Sequence, residues 1–216
     1  MNGEKNILPW IDQKLAGRAG IFSAVLFGFV ITAQGALHPG YNQVREIISV
    51  LGTCHNGWIQ NMNFIITGVA MLIFARGLWT SSLRGFGARF GPALLGVSAI
   101  GLIMAGFFPM ARAGGISVQT PAHALGAILA FLGAGLGLFF SSLAFGRSKG
   151  FRDASIGVGL AGFGVVSLFL AFMFLAIPSE GPFHAYAGLL QRVILVLWLV
   201  AVIAVSKCLI RQPEQA

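Results

Sequence analysis

Six apolar stretches, each about as long as a membrane is thick, dominate this sequence. They cover residues 19–37, 62–75 (extending to 79), 90–109, 122–145, 156–177 and 185–206. A helix needs about 20 apolar residues to cross the hydrocarbon core of a bilayer. None of the stretches alternates apolar and polar residues as barrel strands do, and an open sheet would leave backbone groups unsatisfied in lipid. The sequence therefore predicts an all-α protein, a bundle of six transmembrane helices.

The composition excludes a soluble domain and a nucleic-acid-binding protein. Charged residues make up 9% of the chain, whereas a soluble domain carries about 25%. The net charge of +8 does not indicate a nucleic-acid partner, because the positive residues are spread over short segments between the apolar stretches. The two cysteines, Cys54 and Cys208, fall on opposite sides of the membrane in this topology, so we expect no disulfide between them.

The distribution of positive residues predicts the orientation. Eleven of the fourteen Lys and Arg lie in the N-terminal segment, the second and fourth loops and the tail: Lys5, Lys14, Arg18, Arg76, Arg84, Arg89, Arg147, Lys149, Arg152, Lys207 and Arg211. The opposite side has Arg45 and Arg112, with Arg192 just inside the last stretch. Positive residues concentrate on the cytoplasmic side of membrane proteins. We therefore expect a cytoplasmic N-terminal segment (1–18), a transmembrane domain (19–206) and a cytoplasmic tail (207–216).

The first outer loop carries a helical pattern of its own. Val44, Ile47, Ile48 and Leu51 are spaced i, i+3, i+4 and i+7, which places them on one face of a helix. Asn42 is a suitable N-cap and Gly52 a suitable residue just beyond the C-terminus. The spacing predicts a short amphipathic helix over 42–52, lying on the outer surface of the membrane or covering the bundle.

Polar residues at the outer ends of the helices form the candidate site. Arg192 is the one formally charged residue well inside an apolar stretch, roughly 10 Å from its start, and charges at such positions often mark function. Snorkelling, or pairing with Glu46 or Glu180, is the structural alternative. His184, Gly188 and Gln191 share nearly one helical face beside it.

His123 opens the fourth stretch and is followed along one stripe by small residues: Ala127, Ala130, Ala134 and Ser141. Small residues in line let a neighbouring helix approach closely, so we expect His123 to point into the bundle. The predicted ligand-binding residues are Arg45, Ser49, His55, His123, His184, Gln191 and Arg192.

The sequence predicts no metal site and no cofactor. Three imidazoles with Glu46 or Glu180 as general base would suit a catalytic zinc ion, but no HxxxH, HExxH or HxH spacing is present. Haem needs axial ligands that face each other, and His123 and His184 sit at helix ends. A serine nucleophile, Ser49 or Ser117, has no local motif such as GxSxG around it.

Several short motifs together resemble a known family. These are the run 46–52 after the first helix, the Phe108-Pro109 corner, His123 at the start of the fourth helix, and the run 188–192 in the last. They are similar to an uncharacterised family of six-helix bacterial membrane proteins, a domain of unknown function. The resemblance covers nearly the whole chain and implies the fold of a bacterial membrane protein, with no assigned chemistry. Relatives often carry an acidic residue after the Phe-Pro corner, where this chain has Met110.

Three functions stay open on the sequence. The first is a multi-pass inner-membrane protein whose outward-facing His/Arg pocket binds a lipid or another amphiphilic small molecule. The second is a metal-assisted lipid hydrolase at the outer leaflet. The third is a structural or assembly subunit that packs a small-residue stripe against a partner membrane protein or a second copy. The first two require the outer polar residues to converge, whereas the third requires a small-residue stripe exposed to lipid.

Overall fold

The computed structural model describes residues 12–212. Residues 1–11 and 213–216, which include Lys5 and the ends of the predicted cytoplasmic segments, lie outside the described part. Six long helices account for most of the rest: α1 (Gln13–Leu37), α2 (Gly57–Trp79), α3 (Gly87–Phe107), α4 (Pro121–Phe145), α5 (Arg152–Ala171) and α6 (Ala187–Ile210). All six are long and apolar enough to cross a membrane, so the predicted all-α bundle is confirmed.

The six helices form a closed ring. Each packs along its length on its neighbours in sequence, and α6 returns to pack on α1. Short connections between neighbours make them antiparallel. One end of the ring, here the histidine end, carries the connections 38–56, 108–120 and 177–186. The other, here the basic end, carries the first and last described residues, 12 and 212, and the connections 80–86 and 146–151. The ring therefore encloses a central axis. The side chains and the space along this axis determine which molecules the bundle can bind.

The outer surface of the ring is apolar. Large side chains point away from the bundle on different helices, and Phe29, Ile156 and Val200 are 70%, 78% and 60% exposed. Exposed apolar side chains along the outer faces of the helices are what a lipid-facing wall requires. The interior holds Phe27 and Ile194, both fully buried. The apolar content of the chain is thus divided between a lipid face and a packed core.

Small residues bring α3 and α4 into close contact. A Cβ atom on Gly101 would lie 2.5 Å from both the Ala130 amide nitrogen and the Gly126 carbonyl oxygen. Only backbone hydrogen fits there, so the two helices approach as closely as small-residue interfaces allow in lipid. Gly126 and Ala130 of α4 therefore pack against α3 within this chain.

Five of the six helices begin earlier than the hydropathy of the sequence predicts, α4 by one residue and α5 at 152 rather than 156. α1 starts at residue 13, where the Asp12 carboxylate accepts a hydrogen bond from the Leu15 amide at 2.6 Å. α2 starts at residue 57 rather than 62, and α3 at 87 rather than 90. Polar side chains in these first turns lowered the hydropathy of the sequence without preventing helix formation.

One element was not predicted. Strands β1 (Ala111–Ala113) and β2 (Ile116–Val118) form an antiparallel hairpin between α3 and α4. Its turn is Gly114-Gly115, and both glycines have positive φ, 58° and 84°, as a tight hairpin turn requires. The Gly-Gly pair was a usable signal. The Ser117 hydroxyl lies 2.8 Å from the Thr53 hydroxyl, so the hairpin rests against the first loop.

Candidate functional site

The first loop closes the histidine end of the ring. We call residues 41–53 the cap loop; its last part is a 3-10 helix, Ile48–Thr53. The Gly188 and Leu189 amides donate to the carbonyl oxygens of Arg45 and Val44, at 3.3 and 2.9 Å. The first amides of a helix have no partner within it. The cap loop thus satisfies the start of α6 and is tied to it by backbone contacts.

Arg192 holds the cap loop in place. One terminal nitrogen of its guanidinium donates to the Gln43 carbonyl oxygen at 2.7 Å and to that of Glu46 at 3.3 Å. The same nitrogen donates to Gly188 of its own helix at 3.0 Å. The other terminal nitrogen donates to the Tyr41 hydroxyl at 2.9 Å. Carbonyl dipoles gathered around the half-buried cation offset the loss of water around it. The geometry assigns Arg192 to the architecture of the loop.

Tyr41 contacts the Arg192 guanidinium with both its ring and its hydroxyl. Its ring lies under the Arg192 guanidinium, 5.6 Å from ring centroid to Cζ, a cation–π arrangement. Its hydroxyl donates towards the carbonyl oxygens of Glu46 and Ile47, at 3.0 and 3.2 Å. Burial raises the pKa of the Tyr41 phenol above its usual 10.0, although Arg192 opposes this. The hydroxyl therefore stays protonated and available as a donor at physiological pH.

These contacts explain why the helix predicted over 42–52 differs from the observed one. A short helix is present, but it begins at Ile48, ends at Thr53 and is of the 3-10 type. The carbonyls of residues 43–46 are engaged with α6, so they are unavailable to a helix within the loop. Asn42 instead closes a turn, because its side chain accepts from the Val44 and Arg45 amides. Ile48 and Leu51 are buried as the apolar face predicts.

Two further side chains fasten the cap loop from below. The Gln191 Oε1 accepts a hydrogen bond from the Ile48 amide at 2.7 Å. His123 is 2% exposed, and its Nε2 lies 2.9 Å from the Ser49 hydroxyl. Its Nδ1 faces the carbonyl oxygens of Ala105 and Phe108, at 3.2 and 3.0 Å. The prediction that His123 points into the bundle is confirmed.

A cavity lies directly beneath these contacts, on the axis of the ring. We call it the axial cavity. Its volume is about 30 Å³, which is enough for about two waters. Its walls are mostly apolar and come from the cap loop and five helices: Phe27, Ile48, Ser49, Phe64, Ser98, Leu102, Ala105, His123, Ala127, Ala130, Phe131, Ala134, Gln191, Leu195 and Trp198.

Several buried polar groups inside the bundle lack hydrogen-bond partners within the described chain. Trp198 lines the cavity and is 4% exposed, yet its indole nitrogen has no hydrogen-bond partner among residues 12–212. Gln60, Asn63 and Thr67 of α2 each have a buried atom without a partner among the described residues, but they do not line the cavity. A buried polar group without a partner costs about 1–3 kcal/mol, so such groups at a cavity indicate a molecule that satisfies them.

Sequence reasoning missed the α2 residues. Gln60, Asn63 and Thr67 are spaced i, i+3 and i+7, a polar stripe within an otherwise apolar helix. That spacing was a readable sign of an inward polar face. Trp198 offered no comparable signal, because a tryptophan among apolar residues is ordinary in a membrane helix.

The structure divides the predicted site residues into two groups. Ser49, His123 and Gln191 line the axial cavity, and Arg192 lies above them as a loop contact. Arg45, His55 and His184 are exposed at the histidine end. The ring of His184 lies 3.0 Å from the Ala176 carbonyl oxygen, next to the π-helical turn Phe172–Ala176 that ends α5. The exposed residues therefore do not converge on the cavity.

The histidines are likewise not gathered around one point. Within residues 12–212, no group of three or more His, Cys, Asp or Glu side chains is placed to hold a metal ion. Only His123 of the four histidines lines the cavity. The polar groups available there are the hydroxyls of Ser49 and Ser98, an imidazole, an amide and an indole.

The fold and the cavity define a class: a multi-pass membrane protein with six transmembrane helices closed into a ring around a small capped cavity. The chain belongs to the family described as a protein of unknown function (DUF998), whose model matches residues 21–206. The resemblance seen in the short motifs is thus confirmed. No curated protein and no solved structure matches the chain.

Proposed function

We propose that the protein binds a small amphiphilic molecule in the axial cavity, with the polar head beneath the cap loop and the apolar tail along the ring axis. One observation carries this proposal. Three neutral polar side chains, those of Ser49, His123 and Gln191, lie at one end of a mostly apolar cavity whose wall includes the Trp198 indole, a group without a hydrogen-bond partner among residues 12–212. A mostly apolar pocket with a few convergent polar groups is the usual form of a ligand site.

The polar head of the ligand is uncharged in this proposal. The sequence alone favoured an anionic head held by Arg192. In the structure, however, the Arg192 guanidinium already donates hydrogen bonds to three carbonyl oxygens and to the Tyr41 hydroxyl. The groups that face the cavity are neutral. Hydroxyl, ester or amide heads match them, because an unpaired charge would be costly to bury among apolar walls.

Entry requires the cap loop to lift. The closed cavity holds only about two waters, so a tail needs the contacts of Ser49 with His123 and of Ile48 with Gln191 to break. Each is a single hydrogen bond, with a net contribution of about 1 kcal/mol. The Arg192 contacts and the backbone contacts to α6 hold the other part of the loop. Opening at residues 48–53 while residues 43–46 stay docked must also expose Ile48 and Leu51, which are buried, and break the contact of Thr53 with Ser117.

The membrane placement is part of the same proposal. The charge bias favours the bacterial inner membrane with both termini in the cytoplasm, so the histidine end and the cap loop face outwards. Membrane lipids would surround the chain, and the ligand would enter from the outer leaflet.

We expect single cysteines to report this orientation. In a background without Cys54 and Cys208, Ala113→Cys on the hairpin should react with an impermeant maleimide on intact cells, and Lys149→Cys at the basic end should not. Both parent residues are exposed. The native Cys54 is a poorer reporter, since burial raises the pKa of its thiol. Labelling of the Lys149→Cys variant alone would mean that the orientation is inverted.

We expect filling the cavity to abolish binding. The probe is a monoalkylglycerol ether, which has a neutral head and no hydrolysable bond, added to the protein in nanodiscs. At 100 times its Kd, it should raise the unfolding free energy of the wild-type chain by about 2.7 kcal/mol. Ala130→Leu places three extra carbons in the cavity wall and should remove that shift.

The matched control is Ala93→Leu, on the exposed face of α3, which should keep the wild-type shift. Equal shifts in the wild type and both variants would show that the ether acts on the outer surface. No shift in the wild-type chain would remove the support for binding of this class.

The two other functions find less support in the described residues. A metal-assisted hydrolase needs ligands that converge, and His55 and His184 are exposed rather than in the cavity. An assembly subunit needs a small-residue stripe facing lipid, but Gly101, Gly126 and Ala130 pack between α3 and α4.

A further inference from the structure

Ser49 and His123 form a hydrogen-bonded pair whose proton positions follow from their neighbours. The Nδ1 of His123 faces two backbone carbonyl oxygens, those of Ala105 and Phe108. Carbonyl oxygens only accept, so Nδ1 carries the ring proton. The Nε2 is then an acceptor, and the Ser49 hydroxyl, 2.9 Å away, donates to it. A hydroxyl that donates to the free nitrogen of an oriented imidazole is the arrangement of an activated serine.

The imidazole is also held in orientation. Its two carbonyl partners belong to the last turn of α3 and the residue that follows it. Helix C-termini carry partial negative charge, so these carbonyls favour the imidazolium that forms when the ring takes a proton. In a serine triad a carboxylate performs both tasks. The edge of the Phe64 ring, 6.3 Å between centroids at 72°, packs against the imidazole.

Gln191 offers a donor beside this pair. Its Oε1 is occupied by the Ile48 amide, so its amide hydrogens are what the side chain presents to a molecule in the axial cavity. Side-chain amides of this kind stabilise the oxyanion that develops on a carbonyl under attack. Nucleophile, base and oxyanion donor thus lie around one small cavity.

We propose that Ser49 is an acyl-accepting nucleophile and His123 its general base, acting on the carboxylic ester of a neutral amphiphile such as a monoacylglycerol. This inference rests on the proposed function, because the acyl chain must enter the axial cavity. It goes beyond binding by assigning a reaction, ester hydrolysis, to residues that no GxSxG motif marks.

The reaction balances with water as the only co-reactant. The Ser49 proton passes to His123 Nε2 while Oγ bonds to the ester carbonyl carbon. The bond from that carbon to the alcohol oxygen then breaks, and the departing oxygen takes the proton from Nε2. Water attacks the acyl-serine and gives its proton to Nε2, which returns it to Ser49 Oγ as the carboxylic acid leaves.

An alkyl fluorophosphonate tests this directly, because it phosphonylates activated serines and carries a tail for the cavity. We expect intact-mass and peptide analysis to find one phosphonyl group on Ser49 of the wild-type protein. His123→Gln keeps a polar side chain but no base, and should slow labelling by about 100-fold or more. Ser49→Cys, nearly the same size, should take no phosphonyl group, and Ser117→Ala should label as the wild type does.

A Ser49 that only fastens the cap loop would leave the wild-type mass unchanged, and labelling at the same rate in His123→Gln would equally overturn the proposal. The binding proposal is separable from this result. A wild-type protein that is stabilised by the monoalkylglycerol ether but not phosphonylated binds amphiphiles without acyl chemistry. A protein that shows neither response loses both proposals.

Discussion

Replacing Arg192 by leucine is expected to lower the free energy of unfolding by about 3 kcal/mol. The substitution leaves the carbonyl oxygens of Gln43 and Glu46 and the Tyr41 hydroxyl without their charged donor. An isolated cation in an apolar helix would give the opposite result, because its removal would stabilise the protein. The sign of the change therefore separates a structural contact from snorkelling.

The Arg192→Lys variant tests whether a positive charge alone is enough to hold the loop. Lysine keeps the charge, but its single ammonium cannot reach the Tyr41 hydroxyl and the loop carbonyls together as the planar guanidinium does. We expect it to recover only part of the stability, measured by thermal unfolding in detergent. Arg112→Leu, at an exposed position of the same end, is the control and should leave the unfolding temperature unchanged. A leucine variant at position 192 as stable as the wild type would contradict the assignment.

Gly188→Ala is expected to undock the cap loop although it adds a single methyl group. A Cβ atom there would overlap the Glu46 carbonyl oxygen and lie 2.6 Å from that of Gln43. Both atoms are backbone, so the whole loop must move. Overpacking of this kind costs about 1–3 kcal/mol, and the displaced loop also loses the Arg192 contacts.

The matched control is Gly157→Ala in α5, where an added Cβ meets nothing within 4 Å. Alanine is the better helix former by about 1 kcal/mol, so this variant should be as stable as the wild type or slightly more so. Protease cleavage within residues 41–53 reports the state of the loop. Cleavage that is no faster in Gly188→Ala than in Gly157→Ala would show that the loop tolerates the methyl group.

The fold could be predicted from the sequence because apolar residues extend along the whole length of each membrane helix. The apolar stretches predicted all six helices, and the errors lay at helix ends, such as the polar first turn 57–61 of α2 and the last turn of α6, which runs to Ile210. The hairpin was missed because strands of three residues carry almost no pattern. Its only sign was the pair Gly114-Gly115.

The candidate site was only partly readable, for a different reason. His123, Gln191 and Ser49 are polar residues near helix ends, and their convergence depends on how the ring closes. The helical spacing of α6 placed Gln191 beside Arg192, but which of the two faces the axis is set by packing of the cap loop. No local sequence pattern predicts that Ser49 contacts His123, which lies 74 positions later in the sequence.

The most direct test of binding in the axial cavity is the position at which a photoactivatable amphiphile attaches to the wild-type protein. The probe is an alkylglycerol ether with a diazirine in its chain, and tandem mass spectrometry locates the crosslink. Binding on the ring axis predicts attachment to the cavity wall, at residues such as Leu102, Phe131 and Leu195, and loss of that attachment in Ala130→Leu. Attachment confined to lipid-facing residues such as Val25, Val97 and Val200, unchanged in Ala130→Leu, would contradict it.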